Sequence, residues 1–432
     1  MPVLHIALYI LYLALFLWLI NRLNFFTSTG IKRDNLWTFF LLKVVAGVAL
    51  TLVYTFYYTD QTKADIYRYF NDSKIISPLL WQHPKAWLSV ITGIGLNEPA
   101  NFQYIADTQY FSHPSQDTVT NNQLIIRIIS LCNYFSFSNI YINTLFFSFF
   151  SFVGLTGIYH ALKNYFAEFP QALCLPLFLI PSVVFWGSGL LKEAPVFFFL
   201  GMLFYAFTPR SWFSRILLIL LSVAALAFIR PPLFIALIPA SAIYILIYAL
   251  SAIRKPALKW TVFAALLVAY AFAFMVAEPR VISAIINKRY EFMDLGLAEN
   301  PGSRFVKWTD AITPKMLYTD ALIDGALRPF VWSASNKMEL LFAVEQSLLW
   351  LLLLVMLLRY FQLPAKEKRP LIAFALVFTL VFYWMVGATV PIMGAIVHYR
   401  ILATPFLIIG ALGFVNLHKF KYDLNRLPGL KK

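Results

Sequence analysis

Apolar runs long enough to cross a membrane constrain this chain more than any other feature. The stretch VLHIALYILYLALFLWLI, Val3 to Ile20, is the first, and others lie near 37–58, 138–161, 171–189, 194–209, 215–230, 233–253, 260–277, 338–358, 371–390 and 400–417. A helix rises about 1.5 Å per residue, so roughly 17–25 apolar residues span a bilayer. Charged residues make up 13% of the 432 positions, against about 25% in soluble domains. The chain is therefore expected to be an all-α integral membrane protein, one polytopic domain over 1–432 with about 11 transmembrane helices. The fourth and fifth runs are short and close together, which predicts a tight hairpin or a broken helix. The first run has neither a basic leader nor a small-residue cleavage site, so it is read as a retained span.

The loops between the runs set an orientation. One alternating set, NRLNFFTSTGIKRDN, KNYFAEF, TPRSWFSR, IRKPALK, RYFQLPAKEKRP and HKFKYDLNRLPGLKK, holds 18 Lys and Arg against four acids. The opposite set holds 16 of each sign. Basic loops stay on the cytoplasmic side, so the N-terminus is expected outside and the C-terminus inside. Lys43, within the second run, is expected to snorkel to the cytoplasmic surface. The net charge of +15 does not indicate nucleic acid, because the basic residues alternate with spans instead of gathering on one face. Cys132 and Cys174 have no ligand spacing and read as packing residues.

Two long outer loops follow from this map, 59–137 and 278–337, and loops of such length usually carry function or short helices of their own. PKAWLSVITGIGL and VISAIINKRYEFMDL have the composition of interfacial helices. Three short outer connections each carry a cation: Lys192 in GLLKEAP, Arg230 in FIRPPL and Arg400 in VHYRILATP. Interfacial anchoring explains any one of them, but deeper charges face polar cavities. The first loop opens with Asp60, Asp65 and Asp72, and a helix there places Asp65, Tyr69 and Asp72 on one face. A carboxylate at the membrane boundary suits a general base. Arg328 stands ahead of the ninth run, beside Trp332. Glu339 and Glu345 follow, and a partner such as Lys192 or Arg230 is expected for one of them. His83, His113 and His398 lack ligand spacing, so no cofactor is expected, with a divalent metal held by Asp and His as the alternative. Arginines suit phosphate, aromatic rings suit sugars and apolar walls suit a lipid tail. A lipid-phosphate-linked sugar has all three parts.

Four segments also carry a resemblance. ADIYRYF, PSVVFWGSGLLKEA, LRPFVWSASN and HYRILATPFLIIGALGF resemble parts of GT-C membrane glycosyltransferases and of O-antigen-polymerase and EpsG-like proteins of bacterial polysaccharide synthesis. They cover about a sixth of the chain. Asp65 is not followed by the Asp-Glu pair of the mannosyltransferase branch, and no oligosaccharyltransferase motif is present. The resemblance implies an enzyme of the bacterial inner membrane. It would move sugar from a polyprenyl-(pyro)phosphate donor to a glycan or lipid-linked acceptor on the outer face. Asp65 would be the base, with Asp60 and Asp72 as alternatives. Lys192, Arg230, Arg328 and Arg400 would hold the phosphate, supported by Glu193, Tyr69, Trp332, His398 and Tyr399. The competing expectations are a transporter or flippase of lipid-linked saccharides, and a non-catalytic assembly subunit.

Overall fold

The fold was analysed in a computed structural model that describes residues 3–56, 61, 64–96, 98–111, 121–253, 261, 278–294 and 313–426. The described residues are mostly helical and form no strands, only isolated bridges such as Phe361 to Val415. Seven helices are long and apolar enough to cross a membrane, and a bent pair makes an eighth candidate. The run near 260–277, Asp60 and His113 lie outside the described residues. The chain divides into two compact units.

The first unit comprises Met1–Leu162 and Leu177–Pro231. Its helices are α1 (Val3–Arg22), α2 (Arg33–Phe56), α3 (Asp65–Ile76), α4 (Pro84–Thr92), α5 (Asn121–Ser136), α6 (Ile140–Leu162), α7 (Pro181–Trp186), α8 (Glu193–Tyr205) and α9 (Trp212–Ile229). α6 is the central helix, and most of its side chains are buried. α1 is apolar all round with only Ile20 buried, as expected of a helix bathed in lipid. Ring contacts give the helix directions. Tyr12 and Phe16 meet Phe146, Phe16 meets Phe149, Phe26 meets Phe152 and Phe25 meets His160, so α1 runs parallel to α6. α2 runs the other way, with Phe40 against Phe152 and Thr51 against Thr144.

α8 is parallel to α6 and crosses it at glycine. A Cβ on Gly154 would stand 2.0 Å from the Phe197 carbonyl oxygen, and one on Gly201 would stand 1.8 Å from that of Gly154. Small residues bring backbones together in lipid, where association rests on packing. The run expected near 171–189 is indeed broken. It forms a 3-10 turn, Pro170–Leu173, a π turn, Leu175–Leu179, and then α7. Ile180 is extended because Pro181 follows it, and that proline takes the first helical position.

The second unit comprises Lys163–Pro176 and Pro232–Lys432. It holds α10 (Pro231–Ala252), α11 (278–294), α12 (Ala321–Leu327), α13 (Lys337–Tyr360), α14 (Arg369–Thr389), α15 (Met393–Arg400), α16 (Thr404–Leu412) and α17 (Leu417–Leu424). α15 and α16 form the bent pair, at 52°. α12 crosses α14 with Gly387 against the Ala321 carbonyl and Gly325 against that of Tyr383. Glu339 proves to be part of a helix cap. Asn336 Oδ1 accepts from its amide at 2.9 Å, and its carboxylate accepts from Ser335 N at 2.9 Å and Ser335 Oγ at 2.7 Å. The two long loops each contain a helix where one was expected, α4 in the first and α11 in the second.

Candidate functional site

The start of α3 and the turn before α8 meet in the first unit. Leu50 lies six residues inside the end of α2, about 9 Å along the helix. A Cβ on Gly189 would come 2.3 Å from Leu50 Cδ2 and 3.8 Å from Ile66 Cδ1. The turn 187–192 and the first turn of α3 are thus recessed below the end of α2. Tyr67 OH lies 2.5 Å from Thr55 Oγ1, which also ties α3 to the last turn of α2.

Asp65, the first residue of α3, is half-buried and accepts from Tyr110 OH at 3.4 Å. Its place in the first turn suits a carboxylate, because the amide end of a helix carries partial positive charge. The Tyr110 ring lies 5.5 Å from that of Tyr69. Lys192 Nζ stands 5.8 Å from the centre of the Tyr69 ring and donates to Asn121 Oδ1 at 3.0 Å. Tyr69 OH donates to Asn122 Oδ1 at 3.1 Å. Arg68 flanks the group, donating to Gln109 Oε1 at 2.6 Å with its guanidinium 5.4 Å from the Tyr110 ring.

Asp72, buried on the same helix, bonds to backbone amides. Its two oxygens accept from the amides of Gln109 (2.9 Å) and Tyr110 (3.0 Å), which fixes the chain that presents Tyr110 to Asp65. Burial raises its pKa above the ordinary carboxylate range, opposed by those two amides and by Arg68.

Arg230 pairs with Glu193 at 2.9 Å, both buried. The C-terminal end of α9 simply brings Arg230 to the N-terminal end of α8, and α8 begins with a carboxylate. Lys43 does not snorkel. It is fully buried and donates from Nζ to the Gly187 carbonyl at 3.1 Å.

The second unit gathers its own cations. Arg400 is buried and donates to the Arg328 carbonyl, and Arg328 pairs with Asp324 at 2.5 Å. Arg289, also buried, donates to the carbonyls of Gly387 (3.2 Å) and Ala388 (3.3 Å) at the end of α14. Burial lowers its pKa to about 10, against the opposing pull of Asp324. His398 is buried with its ring 5.1 Å from that of Tyr399, and Tyr399 faces Phe292 at 6.0 Å. Trp332 is 83% exposed and stacks on Phe330 at 4.9 Å.

The sequence-predicted residues thus fall into two groups. Asp65, Tyr69, Asp72, Lys192, Glu193 and Arg230 belong to the first unit, and Arg328, Trp332, His398, Tyr399 and Arg400 to the second. Sequence reasoning missed Asn121, Asn122 and Tyr110, which have no signal of their own. It also missed Arg289 and Arg127, the latter buried and donating to the Val90 carbonyl at 2.6 Å. Asp324 could have been found from its i, i+4 spacing to Arg328. Among the described residues no three His, Cys, Asp or Glu side chains group as a metal site. Comparison with protein-family models, curated proteins and solved structures finds no match to this chain.

Proposed function

We propose that this protein is a membrane glycosyltransferase or polysaccharide polymerase. In this reading it takes sugar from a polyprenyl-(pyro)phosphate-linked donor on the outer face of the bacterial inner membrane. The observation that carries the reading is the position of Tyr69. It lies against both the tyrosine that contacts Asp65 and the ammonium of Lys192, so a general base and a phosphate-binding cation flank one aromatic wall.

The acceptor hydroxyl attacks the anomeric carbon of the donor sugar. The bond from that carbon to the phosphate oxygen breaks, and its electron pair leaves on the phosphate. Asp65 takes the hydroxyl proton, Lys192 stabilises the charge growing on phosphate, and Tyr69 supports the sugar ring. Arg230 acts at a distance, since Glu193 already engages it. The phosphate-holding role that the resemblance implies for Arg328 and Arg400 is a separate expectation within the second unit, where Arg328 pairs with Asp324 and Arg400 donates to the Arg328 carbonyl.

The transporter reading gains one observation: Thr51, Thr144, Ser148 and Lys43 are buried polar groups inside the first unit. Thr51, Ser148 and Lys43, however, each bond to a neighbouring backbone carbonyl, which makes a closed interior and not an open path.

The test is turnover and donor binding by the purified protein reconstituted with polyprenyl-pyrophosphate-linked sugar. Asp65→Asn is expected to lower turnover by about 10²–10⁴ with donor binding retained. Asp72→Asn is expected to cost much less. Normal turnover in Asp65→Asn, or loss of donor binding together with turnover, overturns the assignment.

A further inference from the structure

We propose that Lys43 is a positioning residue: its buried ammonium fixes the open turn 187–192 at the depth where Lys192 acts. The role in positioning Lys192 rests on the reading above, while the hold on the turn stands on geometry alone.

The turn between α7 and α8 is neither helix nor strand, and residues 187–191 are buried. Irregular backbone at membrane depth is tolerated only where protein groups satisfy its carbonyls and amides. Two side chains do so here. Lys43 Nζ donates to the Gly187 carbonyl at 3.1 Å, and Ser148 Oγ donates to the Ser188 carbonyl at 2.8 Å. The Ser188 side chain donates back to the Val184 carbonyl at 2.5 Å, which closes the end of α7.

The turn follows one stripe of α2. Lys43 reaches Gly187, Gly47 lies beneath Ser188, and Leu50 touches Gly189. A Cβ on Gly47 would stand 2.6 Å from the Ser188 carbonyl oxygen and 2.9 Å from Ser148 Oγ. Lys43 and Gly47, four apart on one helix face, therefore act together: the lysine supplies the donor and the glycine supplies the room. An intramembrane charge marks a functional site unless it escapes to the surface. Lys43 has no exposed surface, so snorkelling does not explain it. Three residues after Ser188 the chain reaches Leu191, then Lys192 and Glu193, so any slack at Gly187 passes directly to the cation beside Tyr69 and to the partner of Arg230.

The experiment is hydrogen exchange on the full-length protein in lipid nanodiscs, paired with binding of a polyprenyl phosphate alone. Lys43→Met keeps an unbranched side chain and removes the donor. It is expected to raise exchange across 187–192 by about tenfold, the scale of one lost hydrogen bond, while α2 and α6 keep their protection. Polyprenyl phosphate binding should weaken by a similar factor, and Lys43→Arg should restore part of both. Gly47→Ala retains Lys43 but pushes the Ser188 carbonyl away. It should loosen the same six residues, and it carries the test if Lys43→Met does not fold. Unchanged exchange at 187–192 in either variant, or equal loosening of every helix, overturns the proposal. If exchange rises there but polyprenyl phosphate binds normally to both Lys43→Met and Lys192→Ala, the hold on the turn stands and the phosphate reading of Lys192 falls.

Discussion

Arg230 illustrates how a single residue changes meaning once its neighbours are known. In the sequence it is one of several cations at a short outer connection. In the fold it is half of a buried pair with Glu193, with side chains 9% and 1% exposed. Removing one member of such a pair leaves the other charge unpaired, which costs about 3–5 kcal/mol. Arg230→Ala is therefore expected to lower the thermal midpoint of the purified protein substantially. Adding Glu193→Gln to it should recover much of that loss, because the stranded carboxylate is then gone. A double variant no more stable than Arg230→Ala would show that the pair contributes little. Asp65 is the opposite case. It was legible as a carboxylate just past a span, and it does meet an aromatic group, but Tyr110, through which it does so, is 45 positions away and has no signature. Long-range pairing of this kind comes from helix packing, which local sequence does not encode.

Helices pack closely where glycine removes the side chain. At the α6–α8 crossing, a methyl group on Gly201 would meet the backbone of Gly154, and backbone cannot swing aside as a side chain can. Gly201→Ala is expected to destabilise the protein by about 1–3 kcal/mol, the usual scale of overpacking. Gly394→Ala is the control: nothing lies within 4 Å of the added carbon, so thermal unfolding in detergent should be nearly unchanged. Equal midpoints for the two variants would refute the close-packed crossing. The elements themselves were largely legible. Seven of the expected spans form helices of membrane-crossing length, since a long apolar run permits little else. The weakest runs departed from that rule. Residues near 171–189 break at Pro181, α8 extends only 13 residues, and the last run bends next to Arg400. Proline and buried charge override hydrophobicity there, and a sliding window weighs neither.

At the scale of the whole molecule, charge distribution governs orientation. The basic loops predict a cytoplasmic connection after α10 and an outer second long loop. A reporter fused after Arg254 should accordingly be active only on the cytoplasmic side, and one fused near Asn300 only on the outer side. Finding both on one side would overturn the map. The helix directions in the first unit follow the same alternation, with α1 and α6 parallel and α2 opposed. The division into two units was not legible, because both are built from the same apolar helices and no linker composition separates them.

α1 joins the first unit by stacked and edge-on rings and by side-chain hydrogen bonds near each end, from Tyr12 OH to the Phe135 carbonyl at 2.9 Å and from Trp37 Nε1 to Asn21 Oδ1 at 3.1 Å. Lipid tails are as apolar as those rings, so no hydrophobic force drives the helix into place. Its attachment is set by shape match and by how often it meets those partners within the plane of the bilayer. The first span thus behaves as a tethered ligand of its own protein. A cut in the short connection around Gly30 would turn a folding problem into a two-dimensional binding equilibrium between two fragments.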